Sequence, residues 1–237
     1  MPTCVAILPA AGSGSRFGSA LPKQFTLLGQ DMLLVHTLRA LLQEPRIGSI
    51  HVVLAPEHQN LLPWSAWQGR VQPCLGAGAT RGETVRNAVG HLRQRYPPDT
   101  WVLVHDAARP CVSAAALARL LDTLWDDPVG GLLAIPVADT LKRQQQTQRV
   151  LATVDRAGVW AAQTPQMFPL QLLSDALHRV AHIEQVTDEA SAIEAMGLQP
   201  LLVMGETTNI KVTYPADQLL ALWLLQREVI AAAKNVT

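Results

Sequence analysis

Short apolar runs rich in β-branched residues recur along the chain at Val5–Pro9, Ile50–Ala55, Val71–Leu75, Trp101–His105 and Leu132–Val137. Between them lie the longer stretches Met32–Gln43, Glu83–Arg95 and Ala114–Asp127, whose apolar side chains return at intervals of three and four. The short runs suit buried strands. The longer stretches each present one apolar stripe and suit helices packed on a sheet. Their alternation predicts βαβ units, and therefore an α/β fold with a mainly parallel sheet.

Further along, the pattern changes. Residues 139 to 156, from Asp139 to Arg156, include Lys142, Arg143, three glutamines, Thr147, Gln148 and Arg149, with no core-facing period. Such a stretch is either a hairpin arm projecting from the domain or a mobile surface loop. After it come a Pro-flanked segment, Thr164–Pro169, helices near Leu170–His182 and Asp188–Met196, and a strand at Leu201–Met204. A last helix, with Pro215 in its first turn, runs toward Ala233. Thr80 and Glu83 have capping-box spacing, and Thr187, Asp188 and Glu189 put a cap and two acids at a helix start that Gly197 can end. No repeat or linker divides the chain, so residues 1–237 are expected to form a single domain with an arm at about 139–156.

Composition narrows the class of partner. Hydrophobic residues make up 49% and charged residues 16%, enough apolar material for a sizeable core. Nineteen basic residues balance nineteen acidic ones, which removes the broad positive footprint of a nucleic-acid or anionic-membrane binder. No apolar stretch has the length of a membrane span, and the first apolar run has no basic leader, so a soluble cytoplasmic protein is expected. Cys4, Cys74 and Cys111 are odd in number and far apart, which supports neither a disulfide framework nor a zinc site.

Any anion must then be held locally, and one loop is suited to it. The first strand opens into Ala10-Ala11-Gly12-Ser13-Gly14-Ser15-Arg16-Phe17-Gly18, followed by Pro22-Lys23. Small residues after a strand let backbone N–H groups approach a polyanion, and Arg16 and Lys23 add charge where phosphates would sit. The spacing fits neither the dinucleotide fingerprint nor a Walker loop.

This loop resembles the signature of nucleotidyltransferases that join a nucleoside triphosphate to a phosphorylated sugar or polyol. The later motifs narrow the resemblance. They are His105-Asp106-Ala107-Ala108-Arg109-Pro110, Val154-Asp155-Arg156, Gln163-Thr164-Pro165-Gln166, Thr187-Asp188-Glu189-Ala190-Ser191 and Asn209-Ile210-Lys211-Val212-Thr213. In that order they resemble the 2-C-methyl-D-erythritol 4-phosphate cytidylyltransferase family, of the non-mevalonate isoprenoid route. The resemblance runs from about Val5 to Leu220.

It implies a Rossmann-like three-layer fold, a homodimer that exchanges arms, and the substrates CTP and methylerythritol phosphate with Mg²⁺ as cofactor. Arg16, Lys23, Lys211 and Asp106 would be catalytic, with Asp106 also beside the metal. Pro9, Ala10, Ala11, Gly12, Gly14, Gly78, Thr84 and Ala107 would bind the nucleotide, Gly78 and Thr84 at the cytosine edge. Arg109, Thr140, Arg156, Thr164 and Thr187 would hold the second substrate, Arg156 reaching into a partner's site. Ala79 and Thr208 stand where relatives are often acidic. Ribitol 5-phosphate cytidylyltransferase and a non-catalytic nucleotide-binding module remain alternatives; a glycosyltransferase of similar fold would usually carry an Asp-x-Asp motif, which the chain lacks.

Overall fold

A computed structural model describes residues 4–12 and 21–234. Among these, seven strands form one sheet: β1 (Cys4–Pro9), β4 (Ile47–Val53), β5 (Val71–Cys74), β6 (Trp101–Val104), β7 (Gly131–Pro136), β10 (Trp160–Pro169) and β11 (Leu201–Met204). Their order is β11-β7-β10-β6-β1-β4-β5, and β10 alone runs antiparallel to its neighbours. A small hairpin, β2 (Leu27–Leu28) with β3 (Asp31–Met32), lies outside the sheet.

Alternation along β1 explains the layers. Cys4, Ala6 and Leu8 face α1 (Leu33–Leu42) and α3 (Ala114–Leu124), whose Leu34, Leu38, Leu117 and Leu121 complete one core. Val5 and Ile7 face the other side. There α2 (Arg81–Leu92), α4 (Leu170–Arg179) and α5 (Glu189–Glu194) supply Val85, Val89, Leu173 and Ile193. The result is the expected helix–sheet–helix arrangement. A third cluster, including Leu28, Cys111, Val212 and Ala221, seats α6 (Pro215–Lys234). Cys4, Cys74 and Cys111 are buried free thiols, and among the described residues no helix is long and apolar enough to cross a membrane.

The sequence pattern missed β10. Its apolar half, Met167 and Phe168, is fully buried in the middle of the sheet. Its register with β7 shifts between Ala162 and Gln166, so Gln163, Thr164 and Pro165 leave the ladder where a proline needs no N–H partner. The polar stretch after residue 139 forms an antiparallel hairpin, β8 (Leu141–Gln144) with β9 (Val150–Val154), separate from the main sheet. Val150 and Leu151 on it are exposed.

Candidate active site

The carboxyl ends of β1 and β6 open into a cavity of about 450 Å³, within the roughly 300–1,000 Å³ of small-molecule sites. Pro9, Ala10, Ala11 and Gly12 form one wall. Gln24, buried beneath them, donates from Nε2 to the carbonyls of Ala10 (2.7 Å) and Gly12 (2.9 Å), fixing the start of the loop. Lys23 lines the same wall and donates to the Val212 carbonyl at 2.7 Å. Gly78, Thr80, Arg81 and Thr84 form the opposite wall at the start of α2. Thr80 caps that helix in a reciprocal capping box with Glu83. The Thr84 hydroxyl accepts from the Gly78 N–H (3.1 Å) and donates to the Thr80 carbonyl (2.9 Å). A Cβ at Gly78 would collide with Glu83, so only glycine lets this turn lie so close to the helix.

Asp106 and Lys211, with Ala107 beside them, close the floor. The carboxylate of Asp106 meets three cations: Lys211 Nζ at 2.9 Å and Arg109 Nε at 3.4 Å on Oδ2, and Arg81 Nε at 3.2 Å on Oδ1. Burial pushes this carboxyl up, but Arg81, Lys211 and Arg109 outweigh it and hold it well below the usual carboxylate range. Asp106 is therefore ionised. Arg81 also grips Glu189 with both terminal nitrogens, at 2.7 and 3.0 Å. Burial opposes the Arg81 charge, and Glu189 and Asp106 reverse that, holding its proton more tightly than usual. Burial lowers the Arg109 pKa despite Asp106.

Behind the floor a chain of hydrogen bonds fixes Asp106 from its backbone. Burial lowers the His105 pKa to about 4, so the ring is neutral. Its Nε2 lies 3.0 Å from the Arg109 carbonyl, which can only accept, so Nε2 carries the proton. Nδ1 then accepts from the Thr164 hydroxyl (3.0 Å), which in turn accepts the Asp106 N–H (3.0 Å).

Residues 4–227 match the family model described as IspD: 2-C-methyl-D-erythritol 4-phosphate cytidylyltransferase. The chain belongs to this family. A cytidylyltransferase of that name from Dechloromonas aromatica is 53% identical over 229 residues, covering 95% of this chain and 99% of the relative. One from Laribacter hongkongensis is also 53% identical, over 223 residues, 93% of this chain and 95% of its own. Among solved structures, a 4-diphosphocytidyl-2C-methyl-D-erythritol synthase superposes with a TM-score of 0.83 at 39% identity, covering 95% of this chain and 99% of that one. The Francisella tularensis cytidylyltransferase gives 0.82 at 32%, covering 94% and 99%.

Of the residues singled out by resemblance to the cytidylyltransferase family, Pro9, Ala10, Ala11, Gly12, Lys23, Gly78, Thr84, Asp106, Ala107 and Lys211 all line the cavity. Gly14 and Arg16 lie outside the described residues. Arg109 and Thr164 sit behind the wall; Thr164 is 4% exposed, and its hydroxyl is filled by His105 and Asp106. Thr140, Arg156 and Thr187 are exposed and are not among the lining residues. Arg156 donates to the Ala138 carbonyl at the foot of the β8–β9 hairpin. Sequence reasoning gave no site role to Gln24, Arg81 or Glu189. Glu189 lies inside a quoted motif and Arg81 directly after the helix cap Thr80, and their signal was opposite charge at the first position of two helices.

Cytidylyltransferases of this family generally use a divalent metal. The described residues contain no cluster of three or more His, Cys, Asp or Glu able to cage one, and Asp106 is the one carboxylate among the described lining residues. That donor set fits a hard cation ligated mainly by phosphate oxygens and water, with Asp106 beside it.

Proposed function

We propose that the protein transfers the cytidylyl group of CTP to 2-C-methyl-D-erythritol 4-phosphate, releasing pyrophosphate and 4-diphosphocytidyl-2-C-methyl-D-erythritol, with Mg²⁺ as the metal. The observation that carries this is the cavity itself: a glycine-containing loop and two lysines around a fixed, ionised aspartate, in a chain that belongs to the family along nearly its whole length.

The chemistry asks little of the protein beyond position and charge. A phosphate monoester with a second pKa of about 6 is mostly dianionic at neutral pH and attacks the α-phosphorus without a general base. One P–O bond forms to the α-phosphorus and the bond to the β-phosphate oxygen breaks, so pyrophosphate leaves with the electron pair. Negative charge accumulates at the reacting phosphorus, and cations aimed there lower the barrier. Lys23, Lys211 and Arg16 take that role. The backbone of Pro9–Gly12, with Gly14, cradles the triphosphate, and Ala107 borders it. Gly78 and Thr84 hold the cytosine edge; the Thr84 hydroxyl, already bonded to Gly78, keeps that turn in shape. When bound, the metal neutralises phosphate charge beside Asp106. Thr164 and Arg109 serve this centre from beneath, by holding Asp106.

Thr140, Thr187 and Arg156 hold the methylerythritol phosphate, Arg156 pairing with its phosphate through a planar fork. In one chain Arg156 points back to the root of the arm, so we assign it to the site of a second copy, in a homodimer that exchanges arms. The exposed Val150 and Leu151 of the arm and Leu201, Leu202 and Met204 of the edge strand β11 support that pairing. The enzyme so formed, one domain and its arm, works in the cytoplasm.

The test is pyrophosphate release by the purified protein with CTP, UTP or another nucleotide, against methylerythritol phosphate and ribitol 5-phosphate, with and without chelator. CTP with methylerythritol phosphate should give the highest kcat/KM, and chelation should stop it. A higher kcat/KM with ribitol 5-phosphate would overturn the substrate assignment and leave the reaction class. Nucleotide binding without pyrophosphate release from any pair would instead mark a binding module.

A further inference from the structure

We propose that Arg81 is a positioning residue for the cytidylyl transfer: its guanidinium fork, anchored on Glu189, holds Asp106 in place and ties the nucleotide wall to the helix start that follows Thr187. The inference rests on the functional reading above and extends it to a pair of residues that the motifs left without a role.

Helix formation does not explain an arginine here. Arg81 is the first residue of α2, where the helix dipole disfavours a cation. Its side chain instead leaves the helix and reaches two other segments. The two terminal nitrogens take both oxygens of Glu189, at 2.7 and 3.0 Å, while Nε donates to Asp106 Oδ1 at 3.2 Å. Glu189, only 1% exposed, is the first residue of α5, directly after the cap Asp188, which Gln166 holds at 2.9 Å. A second contact shows that the start of α2 is built against the chain leading into α5: a Cβ at Gly82 would lie 2.6 Å from the carbonyl oxygen of Ile183, six residues before Glu189.

Charge and exposure separate Arg81 from the cations that meet phosphate. Lys211, its side chain 40% exposed, holds the opposite oxygen of Asp106 and is free to turn to an arriving phosphate. Arg81 is committed on both edges, and the Glu189 carboxylate balances its charge. When Lys211 changes partner, Arg81 still grips Oδ1, so the carboxylate keeps its direction. A lysine at position 81 would supply the charge without the planar fork, and one ammonium cannot reproduce three parallel grips on two carboxylates.

The experiment compares wild-type protein with Arg81→Ala, Arg81→Lys and the double variant Arg81→Met with Glu189→Met. It reads melting temperature, calorimetric CTP binding with Mg²⁺, and steady-state pyrophosphate release. The double variant removes Arg81 and Glu189 together, so neither is left as an unpaired charge, while Asp106 keeps Lys211 and Arg109, and such replacements are often neutral for stability. It should melt near wild type and bind CTP within about threefold, because the Pro9–Gly12 and Lys23 side of the cavity is untouched, yet its kcat should fall by at least about 30-fold. Arg81→Lys should fall as far as Arg81→Ala. Ethylguanidinium at millimolar concentration should restore part of the turnover of Arg81→Ala and none of that of Lys211→Ala. Wild-type turnover in the folded double variant would overturn the proposal, as would full activity of Arg81→Lys. CTP binding weakened about 100-fold in Arg81→Ala with kcat retained would make Arg81 a nucleotide ligand and also overturn it. Absence of pyrophosphate release by the wild type would remove the functional reading and this inference together, whereas an active wild type with indifferent variants removes the inference alone.

Discussion

Replacing Thr164 by valine tests the reasoning about how Asp106 is held. The change keeps the shape of the side chain and deletes the one hydroxyl that joins the Asp106 N–H to His105 Nδ1. Both residues are buried, His105 at 0% exposure and Asp106 at 8%. Among the described residues neither has another partner to turn to, because His105 Nε2 is already committed to the Arg109 carbonyl. An orphaned buried donor or acceptor costs about 1–3 kcal/mol, so the pair should cost about 2–4 kcal/mol after the valine methyl recovers a little. In a chain of this length that lowers the melting temperature by about 5–10 °C. Thr164→Ser is the control: it keeps the hydroxyl and loses one methyl, worth about 1 kcal/mol. Thermal melts and urea titrations of the three proteins side by side give the ranking wild type, serine, valine. A valine variant as stable as the serine one would refute the hydrogen-bond chain.

Lys23→Ala and Lys211→Ala should each lower turnover by about 100-fold or more with unchanged circular dichroism, since each removes a few kcal/mol of charge stabilisation in the transition state; near-normal rates in both would strip the lysines of that role. Mixed dimers of Lys23→Ala and Arg156→Ala subunits should recover up to about half of wild-type turnover, because symmetry leaves one intact site in two, and no recovery in verified mixed dimers would place Arg156 in its own subunit's site. Gly82→Ala should destabilise by about 1–2 kcal/mol because its methyl meets the Ile183 carbonyl, and a variant more stable than wild type would show that this backbone yields freely. Burial, helped by Arg95, lowers the His51 pKa from 6.5 to about 4, so the unfolded chain binds the extra proton first as pH falls. Stability is thus lost below pH 6.5, by about 2 kcal/mol at pH 5 from this group, and the loss between pH 7 and pH 5 should shrink in His51→Gln.

What the sequence makes legible follows from which forces act locally. Strand β11 and helices α1 and α3 sit where the apolar pattern puts them, because each helix lays one apolar face on the sheet and β11 pairs along its whole length with β7. β4 begins at Ile47, before the apolar run at Ile50, since Gly48 and Ser49 carry no apolar signal and the ladder with β1 alone extends it. β10 was hidden because Gln163, Thr164 and Pro165 interrupt its run, and its place between β6 and β7 is set by pairing across the sheet. The lining residues were visible as motifs, since backbone approach demands small residues at fixed offsets. The Arg81–Glu189 fork was not: its partners are 108 positions apart, and each also reads as an ordinary residue of a helix start.

The charges around Asp106 come from places far apart in the order of synthesis. Arg81 precedes it by 25 positions, Lys211 arrives from the segment between β11 and α6, and the Asn209 carbonyl that steadies Arg109 lies 100 positions beyond that arginine. A chain emerging from the ribosome therefore makes the sheet's first parallel strands, and two of the three cations, well before Lys211 can complete the cluster. Closing such long loops belongs to the late part of folding. CTP, which recognises the finished cluster, then stabilises completed molecules in preference to fragments ending before Lys211. The substrate in effect inspects whether translation has passed Lys211.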